Sequence, residues 1–381
     1  MDRLRVAHII TRLELGGAQQ NTLYTVSHLD RNLFEPFLIT GKGGILDEEA
    51  QKLDGVSVHF CPSLVREIGP ATDWAAYREL KSLLSRLRPD VVHTHSSKAG
   101  VLGRFAAQAA GVPVVIHTYH GFGFHRFQNP IVLRFYVEVE KKACRRAHHL
   151  VFVSQANLDW AKELGLTSGC GTSLIRSGVK TQPLLDARRT DHIRQALGVS
   201  SEKKAVGMIA CLKPQKDPLT FVEAADLVTQ KRSDAFFFLI GDGELRPQVQ
   251  KRVSRMKHPE RFQLLSWRRD IPELLASLDL TVLTSLWEGL PRVIPEATIA
   301  GVPVIASDIE GNREIVHEGR NGALAQPRNA PDFAERIIAA LQNQWTVDPV
   351  FSGQICEEFN IDRMVSRQQD LYLNIRPSKH A

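Results

Sequence analysis

Leu283-Thr-Ser-Leu-Trp-Glu288-Gly289-Leu290-Pro291-Arg-Val-Ile-Pro-Glu296-Ala297, followed by Gly301-Val-Pro-Val-Ile-Ala-Ser307, is the stretch on which the reading of this chain turns. The apolar run Leu280–Leu283 has the length and composition of a buried strand, and it ends in a polar turn carrying Glu288. Gly289 permits close backbone approach there, and Pro291 fixes φ at a value suited to the first turn of a helix. Val302–Ala306 is a second buried strand, so the stretch reads as one β-α-β step of a parallel sheet. N–H groups at such a helix start lack intrahelical partners and make an anion site at a strand end. Glu288 and Glu296 would take hydroxyl groups on either side of a bound phosphate, which suits a nucleotide-sugar. Spacing alone equally permits an ordinary strand-turn-helix with two solvated glutamates.

The same alternation runs outward in both directions. Ahead of it lie strand-like Arg5–Thr11, Glu35–Thr40, Val56–Phe60, Val91–His95, Val114–Tyr119, His149–Val153 and Leu174–Arg176, spaced by helical segments that include Ala18–Leu29, Ala99–Ala110 and Pro130–Arg146. Pro183 and the polar Asp186–Asp191 read as a link. Strand-like Ala205–Ala210, Phe236–Ile240, Phe262–Leu265, Leu280–Leu283, Val302–Ala306 and Glu314–Val316 follow. Helix-like Ala330–Gln342 and an amphipathic segment, Asp362–Ile375, close the chain. Short Val/Ile-rich runs alternating with helices imply α/β architecture with parallel sheets covered on both faces. The expected division is 1–180, then 181–361, with a C-terminal helix at about 362–376 packing back on the first part. Two facing, doubly wound, Rossmann-like domains would then bring strand ends from both around one cleft.

At 381 residues the chain is too long for one ordinary core, and 43% hydrophobic with 24% charged residues is a globular composition. The five cysteines lie far apart with no C-x-x-C pair, which argues against a disulfide framework or a zinc cluster and for a reducing compartment. Met1–Ile10 reads as a buried strand and not as a signal peptide. No apolar run approaches the ~20 residues of a membrane span, so the expected protein is soluble or peripheral. Residues 1–180 carry 22 Lys+Arg against 16 Asp+Glu, while the remainder balances at 26 each. A basic first half suits an anionic lipid surface or a phosphate-linked acceptor; scattered solvated cations are the plainer reading. No nucleic-acid-binding motif accompanies the charge.

Several strand ends carry candidate chemistry. Gly16-Gly17-Ala18-Gln19 opens a helix after the first strand, but it is not G-x-G-x-x-G, and Gly241-x-Gly243 also lacks the third glycine, which weakens a dinucleotide reading. Histidines gather at 93, 95, 117, 120 and 125. The local sequence offers no carboxylate support for a metal, so hydrogen bonding suits His120 better. Lys216, in Cys211-Leu-Lys213-Pro-Gln-Lys216-Asp217, is a compact cation for a diphosphate. Asp242-Gly-Glu244 is the nearest approach to a metal-binding Asp-x-Asp and reads better as a turn, leaving charge neutralisation to Lys216 and helix N-termini.

Taken in order, these elements resemble a family 4 retaining glycosyltransferase of the two-domain GT-B fold, in particular the transferases of capsule, exopolysaccharide and lipid-linked glycans. The resemblance spans nearly the whole chain. It rests on the Gly-Gly-Ala-Gln loop, His93-Thr-His-Ser-Ser-Lys-Ala-Gly100, His120-Gly-Phe, Lys213-Pro-Gln-Lys216-Asp217-Pro218, Gly241-Asp-Gly-Glu-Leu-Arg246, Trp267-Arg-Arg-Asp270 and, most specifically, Glu288-x7-Glu296. It implies that Glu288 holds hydroxyls of a donor sugar, that N–H groups of Gly289 and Leu290 meet the sugar or distal phosphate, and that Glu296 takes the ribose. Lys216, helped by Gly16 and Gly17, would neutralise the diphosphate, and His120 would lie near the reacting carbon or a donor hydroxyl. No cofactor and no metal are implied beyond the nucleoside diphosphate sugar itself. Where the family carries Gly-Arg this chain has Ala210-Cys211, so Lys213 or Arg292 would have to supply the missing cation. Ser266 also replaces a glycine.

The expected function is therefore transfer of a sugar to a lipid-linked or saccharide acceptor in cell-surface polysaccharide assembly. The expected place is the cytoplasm, peripheral on the inner face of the membrane, with no nucleic-acid partner. A nucleotide-sugar epimerase of the same fold and a non-catalytic glycan- or lipid-binding scaffold are the alternatives.

Overall fold

The computed structural model of the protein describes residues 3–187 and 191–375. Two compact units divide the chain: one holds it up to Gly178 and again from Ile361, the other holds Val179–Asn360. The division precedes the polar Asp186–Asp191 stretch read as a link, of which residues 188–190 lie outside the described residues. No helix among the described residues is long and apolar enough to cross a membrane.

The first unit is a seven-stranded parallel sheet of β1 (Leu4–Ile10), β2 (Phe34–Thr40), β3 (Ser57–Phe60), β4 (Val91–His95), β5 (Val114–Tyr119), β6 (His149–Phe152) and β7 (Gly171–Leu174), in the order β3-β2-β1-β4-β5-β6-β7. Its central strands β1, β2, β4 and β5 are buried almost throughout because helices cover both faces. Order reverses between β1 and β4, where His8 lies in register with His93. Open α/β sheets bind ligands beyond the strand ends at such a reversal. The helix Ile361–Asn374 buries Ile361, Met364, Val365 and Tyr372 in one cluster with Leu4, Val6, Leu29 and Phe34.

The second unit has six parallel strands: β8 (Lys204–Ile209), β9 (Ala235–Ile240), β10 (Phe262–Leu265), β11 (Leu280–Leu283), β12 (Val304–Ser307) and β13 (Gly322–Ala325), in the order β10-β9-β8-β11-β12-β13. Here the reversal falls between β8 and β11, so their C-terminal ends define the site.

Three expectations need correction. Glu314–Val316 is not a strand but the turn closing a short helix, Glu310–Arg313; the edge strand is β13, whose Gly-Ala-Leu-Ala lacks the β-branched residues that signal a strand. The strand expected at Leu174–Arg176 ends there instead, as β7. The helix after Glu288 begins at Val293, so Pro291 sits in the preceding turn.

One buried polar group in the first unit bears on stability. Arg104, fully buried on the helix Ser97–Ala109, donates to Glu140 at 2.7 Å, and Tyr119 donates to the same carboxylate oxygen at 2.7 Å. Removing one member of a buried ion pair strands the other charge away from water, so Glu140→Ala is expected to destabilise this unit by about 3–5 kcal/mol. Glu140→Gln keeps an acceptor and should lose less. Urea unfolding of the three proteins tests this, and an alanine variant as stable as the parent would refute it.

Candidate active site

β11 delivers its chain into the loop 284–292, and a short 3₁₀ turn, Pro214–Lys216, follows β8 beside it. The two are stitched together. Buried Thr284 donates its hydroxyl to the carbonyls of Lys216 (3.0 Å) and Asp217 (2.8 Å), and Leu286 N–H donates to Gln215 O at 2.8 Å. The Gln215 carboxamide reaches Trp287 O at 2.8 Å. Asp217 takes a left-handed φ of 44°, which a non-glycine residue adopts only when held; the Thr220 hydroxyl, 2.7 Å from its carboxylate, helps hold it. This stitching brings Lys216 Nζ into an ion pair with Glu288 Oε1, with the glutamate side chain only 7% exposed.

Gly289 and Leu290 lie before the helix Val293–Ile299 and not in its first turn, so the site is a loop carrying open amides rather than a helix N-terminus. Neither N–H meets an acceptor among the described residues. Gly311 sets this loop from behind: a Cβ there would lie 2.8 Å from Gly289 O and 3.0 Å from Glu288 O. Inside the helix, Glu296 accepts from Arg292 Nη2 at 3.0 Å. Burial pushes the Glu296 carboxyl up from its ordinary value, and the Arg292 guanidinium opposes that shift. Of the two candidate replacement cations, Arg292 is thus engaged, whereas the Lys213 ammonium has no partner among the described residues.

Close approach, and not phosphate binding, accounts for Gly241 and Gly243. A Cβ at Gly241 would meet Ala210 O at 2.0 Å, and one at Gly243 would meet Leu212 O at 2.5 Å. The turn packs on the segment carrying Cys211.

In the first unit, Gly16 caps the helix Gly17–His28 without a side-chain cap or an acid in its first turn. A Cβ on Gly16 would meet only the movable end of Gln19, so the fold itself does not demand glycine there. Lys98 is committed locally, to an ion pair with Asp73 and a bond to Glu67 O. His120 follows β5 and is half-buried, with its Nε2 3.1 Å from His95 Nδ1. Its Nδ1 is shut off from solvent and has no partner. Burial pulls His120 down to about 4, which keeps it neutral near pH 7.

Sequence reading missed His8. It lies 85 positions before His93, and only the β1–β4 pairing makes them neighbours. Ligand-capable atoms of His8, His93 and His95 all fall within 4.8 Å of one another, fully buried, although none of these residues is a carboxylate. Thr284 and Gly311 were missed too, since their roles lie in contacts across the fold; a glycine inside the short helix Glu310–Arg313 was the one available signal.

Comparison with known proteins agrees with this architecture. The family profile described as "Glycosyl transferase 4-like domain" matches residues 16–169, and "Glycosyl transferases group 1" matches residues 189–349. The UDP-Gal:α-D-GlcNAc-diphosphoundecaprenol α-1,3-galactosyltransferase of Escherichia coli is 32% identical over 99% of this chain and 98% of its own. The N,N'-diacetylbacillosaminyl-diphospho-undecaprenol α-1,3-N-acetylgalactosaminyltransferase of Campylobacter jejuni is 25% identical over 78% of this chain and 80% of its own. The crystal structure of Anabaena HepE with UDP-glucose superposes with a TM-score of 0.80 at 21% identity, covering 98% of this chain and all of that one, a likeness of fold. Kinship of that extent runs through both units, and the chain belongs to the family 4 glycosyltransferases.

Proposed function

We propose that the protein moves a hexosyl or N-acetylhexosaminyl group from a nucleoside diphosphate sugar to a lipid-linked or saccharide acceptor in cell-surface polysaccharide assembly, with retention of configuration and without a metal. The observation that carries this is the Lys216–Glu288 pair beside the open amides of Gly289 and Leu290. A carboxylate accepts from sugar hydroxyls, and a cation with convergent N–H groups takes phosphate oxygens. In this reading Glu288 holds the donor sugar, Gly289 and Leu290 donate to the sugar or distal phosphate, and Glu296 takes the ribose hydroxyls. Lys216 neutralises the diphosphate, with Lys213 supplying the charge that Cys211 lacks and Gly16 and Gly17 leaving room for the phosphate. His120 accepts from a hydroxyl of the reacting sugar. The departing phosphate collects the acceptor's proton on the face it leaves, so the protein works by positioning and by stabilising the leaving charge.

The donor and acceptor named for the Escherichia coli relative make a UDP-hexose and a polyprenyl-diphosphate glycan the first pair to try. Incubation with UDP-, GDP- and ADP-sugars should release nucleotide and extend the lipid, undiminished by EDTA, and NMR of the product should find the donor's anomeric configuration. Absence of turnover with every donor overturns the reading. Donor interconversion without acceptor would point to an epimerase, and binding without turnover to a scaffold.

For the acceptor side we propose docking on an anionic membrane surface at the cytoplasmic face. The helix Pro130–Cys144 buries Val137, Ala143 and Cys144 but leaves Ile131 81% and Phe135 64% exposed, beside exposed Arg134 and, just ahead, Phe127 at 80%. Exposed apolar side chains beside a cation on one helix face suit an interfacial position among anionic headgroups. Vesicles containing phosphatidylglycerol should sediment the protein, less so at high salt. Ile131→Glu with Phe135→Glu should abolish this without changing the fold. Binding that ignores both salt and these substitutions would sink the idea.

A further inference from the structure

His120 ends a row of buried polar groups that begins on the C-terminal helix. Gln368 Oε1 lies 3.2 Å from the Tyr372 hydroxyl, which lies 3.2 Å from His8 Nε2 and 2.6 Å from His93 Nδ1. His8 Nδ1 lies 3.0 Å from His95 Nε2, and His95 Nδ1 lies 3.1 Å from His120 Nε2. The ring planes of His8 and His95 differ by 6° with centroids 5.2 Å apart, which puts an N–H of one along the lone pair of the other.

A neutral imidazole has one donor and one acceptor, so each nitrogen–nitrogen contact holds a single proton and fixes the next. Burial keeps the rings neutral: His8 is pulled down to about 3, and His93 and His95 well below their ordinary value, by desolvation first. Gln368 Oε1 only accepts, so it takes the Tyr372 proton. The phenol oxygen must then accept from both His93 Nδ1–H and His8 Nε2–H. His93 Nε2 is thereby left to accept from the Thr118 hydroxyl at 2.7 Å. His8 Nδ1, now bare, accepts from His95 Nε2–H, and His95 Nδ1 accepts from His120 Nε2–H. Every atom in the row is satisfied except the last, His120 Nδ1, which is a buried, bare lone pair with no partner.

We propose that Gln368, Tyr372, His8 and His95 are positioning residues whose buried hydrogen-bond row fixes the proton of neutral His120 on Nε2 and leaves its Nδ1 as the unused acceptor of the row. The row lies wholly within the first unit. The inference rests on the assignment of His120 to the donor sugar only for its catalytic consequence; the tautomer is a property of the free protein. A divalent ion at His8, His93 and His95 would need nitrogens that the row already uses.

Removing the phenol oxygen should leave the row without a fixed direction. In Tyr372→Phe, keeping His8 Nε2–H would orphan a buried donor, which folded proteins tolerate less than an unused acceptor. Reversing the row would orphan His120 Nδ1–H instead, so neither direction is favoured and His120 populates both tautomers. Long-range proton–nitrogen NMR of ring-labelled full-length protein reads this directly, with the His120 signal identified as the one lost in His120→Gln. The expected result is Nε2–H in the parent and a mixture of Nε2–H and Nδ1–H in Tyr372→Phe, with kcat falling up to about tenfold, the effect of one mispolarised buried hydrogen bond, and the donor KM little changed.

His95→Gln supplies a second test, since its amide can donate to His8 and its carbonyl can accept from His120. It should keep the parent tautomer of His120 and most of the activity, whereas His95→Leu should lose both. An Nδ1–H His120 in the parent, or the same tautomer in parent and Tyr372→Phe, overturns the proposal. Full activity of His120→Gln would refute instead the assignment of His120 to the sugar, leaving the tautomer result to stand alone.

Discussion

Glu288→Ala is expected to lower kcat by about 10³-fold or more, the scale on which loss of one preorganised polar contact to the reacting group is felt. The substitution removes the acceptor proposed for the sugar hydroxyls and leaves the Lys216 ammonium, now paired with that carboxylate, without its partner. Glu296 should behave differently. It sits on the helix Val293–Ile299 with Arg292, and the ribose hydroxyls assigned to it do not change during transfer. A contact equal in ground and transition states affects KM alone, so Glu296→Ala should raise the donor KM about tenfold with kcat nearly intact. Steady-state kinetics with one donor decides this. Equal rises in KM with unchanged kcat for both variants would refute the division of roles.

Acid should unfold this protein readily. His8, His93, His95 and His117 are fully buried, and desolvation holds all four below the ordinary histidine value. Their folded values are depressed, so the stability they contribute is present above about pH 6.5 and is lost as pH falls, because only the unfolded chain then takes up the protons. A ring that stays neutral in the folded state costs about 1 kcal/mol at one unit below its unfolded value, so the four together remove several kcal/mol by about pH 5.5. That approaches the whole stability of an ordinary domain, about 5–15 kcal/mol. Urea midpoints measured from pH 7.5 to 5.5 should fall steeply below 6.5, and His117→Asn should flatten the slope by about one proton. A flat profile over that range would show the rings charged in the folded state.

Parallel strands announce themselves because burial on both faces makes their sequences continuously apolar, as in Phe236–Ile240 and Leu280–Leu283. Edge strand Gly322–Ala325 escaped because its small residues carry no such signal, and the short helix Asp47–Gln51 because five residues cannot express helical periodicity. The site was legible to the extent that it is local. Glu288, Gly289 and Glu296 share one loop and helix, and Lys216 ends a strand-following turn. Contacts that cross the chain were not legible: Thr284 locking the carbonyls of residues 216 and 217, Gly311 behind residues 288 and 289, and His8 beside His93. Pro291 misled by two residues, since proline favours a helix start without saying which residue begins it.

The order of synthesis adds a constraint. Helix Ile361–Asn374 completes the first unit, yet it leaves the ribosome only after all of Val179–Asn360. Until then Leu4, Val6 and Phe34 lack the cover of Met364, Val365 and Tyr372, so the first unit emerges early and is finished last. His120 shares that delay, because the residues that anchor its proton, Tyr372 and Gln368, lie on that same helix. A nascent chain can thus complete its second sheet before the histidine row has a defined direction.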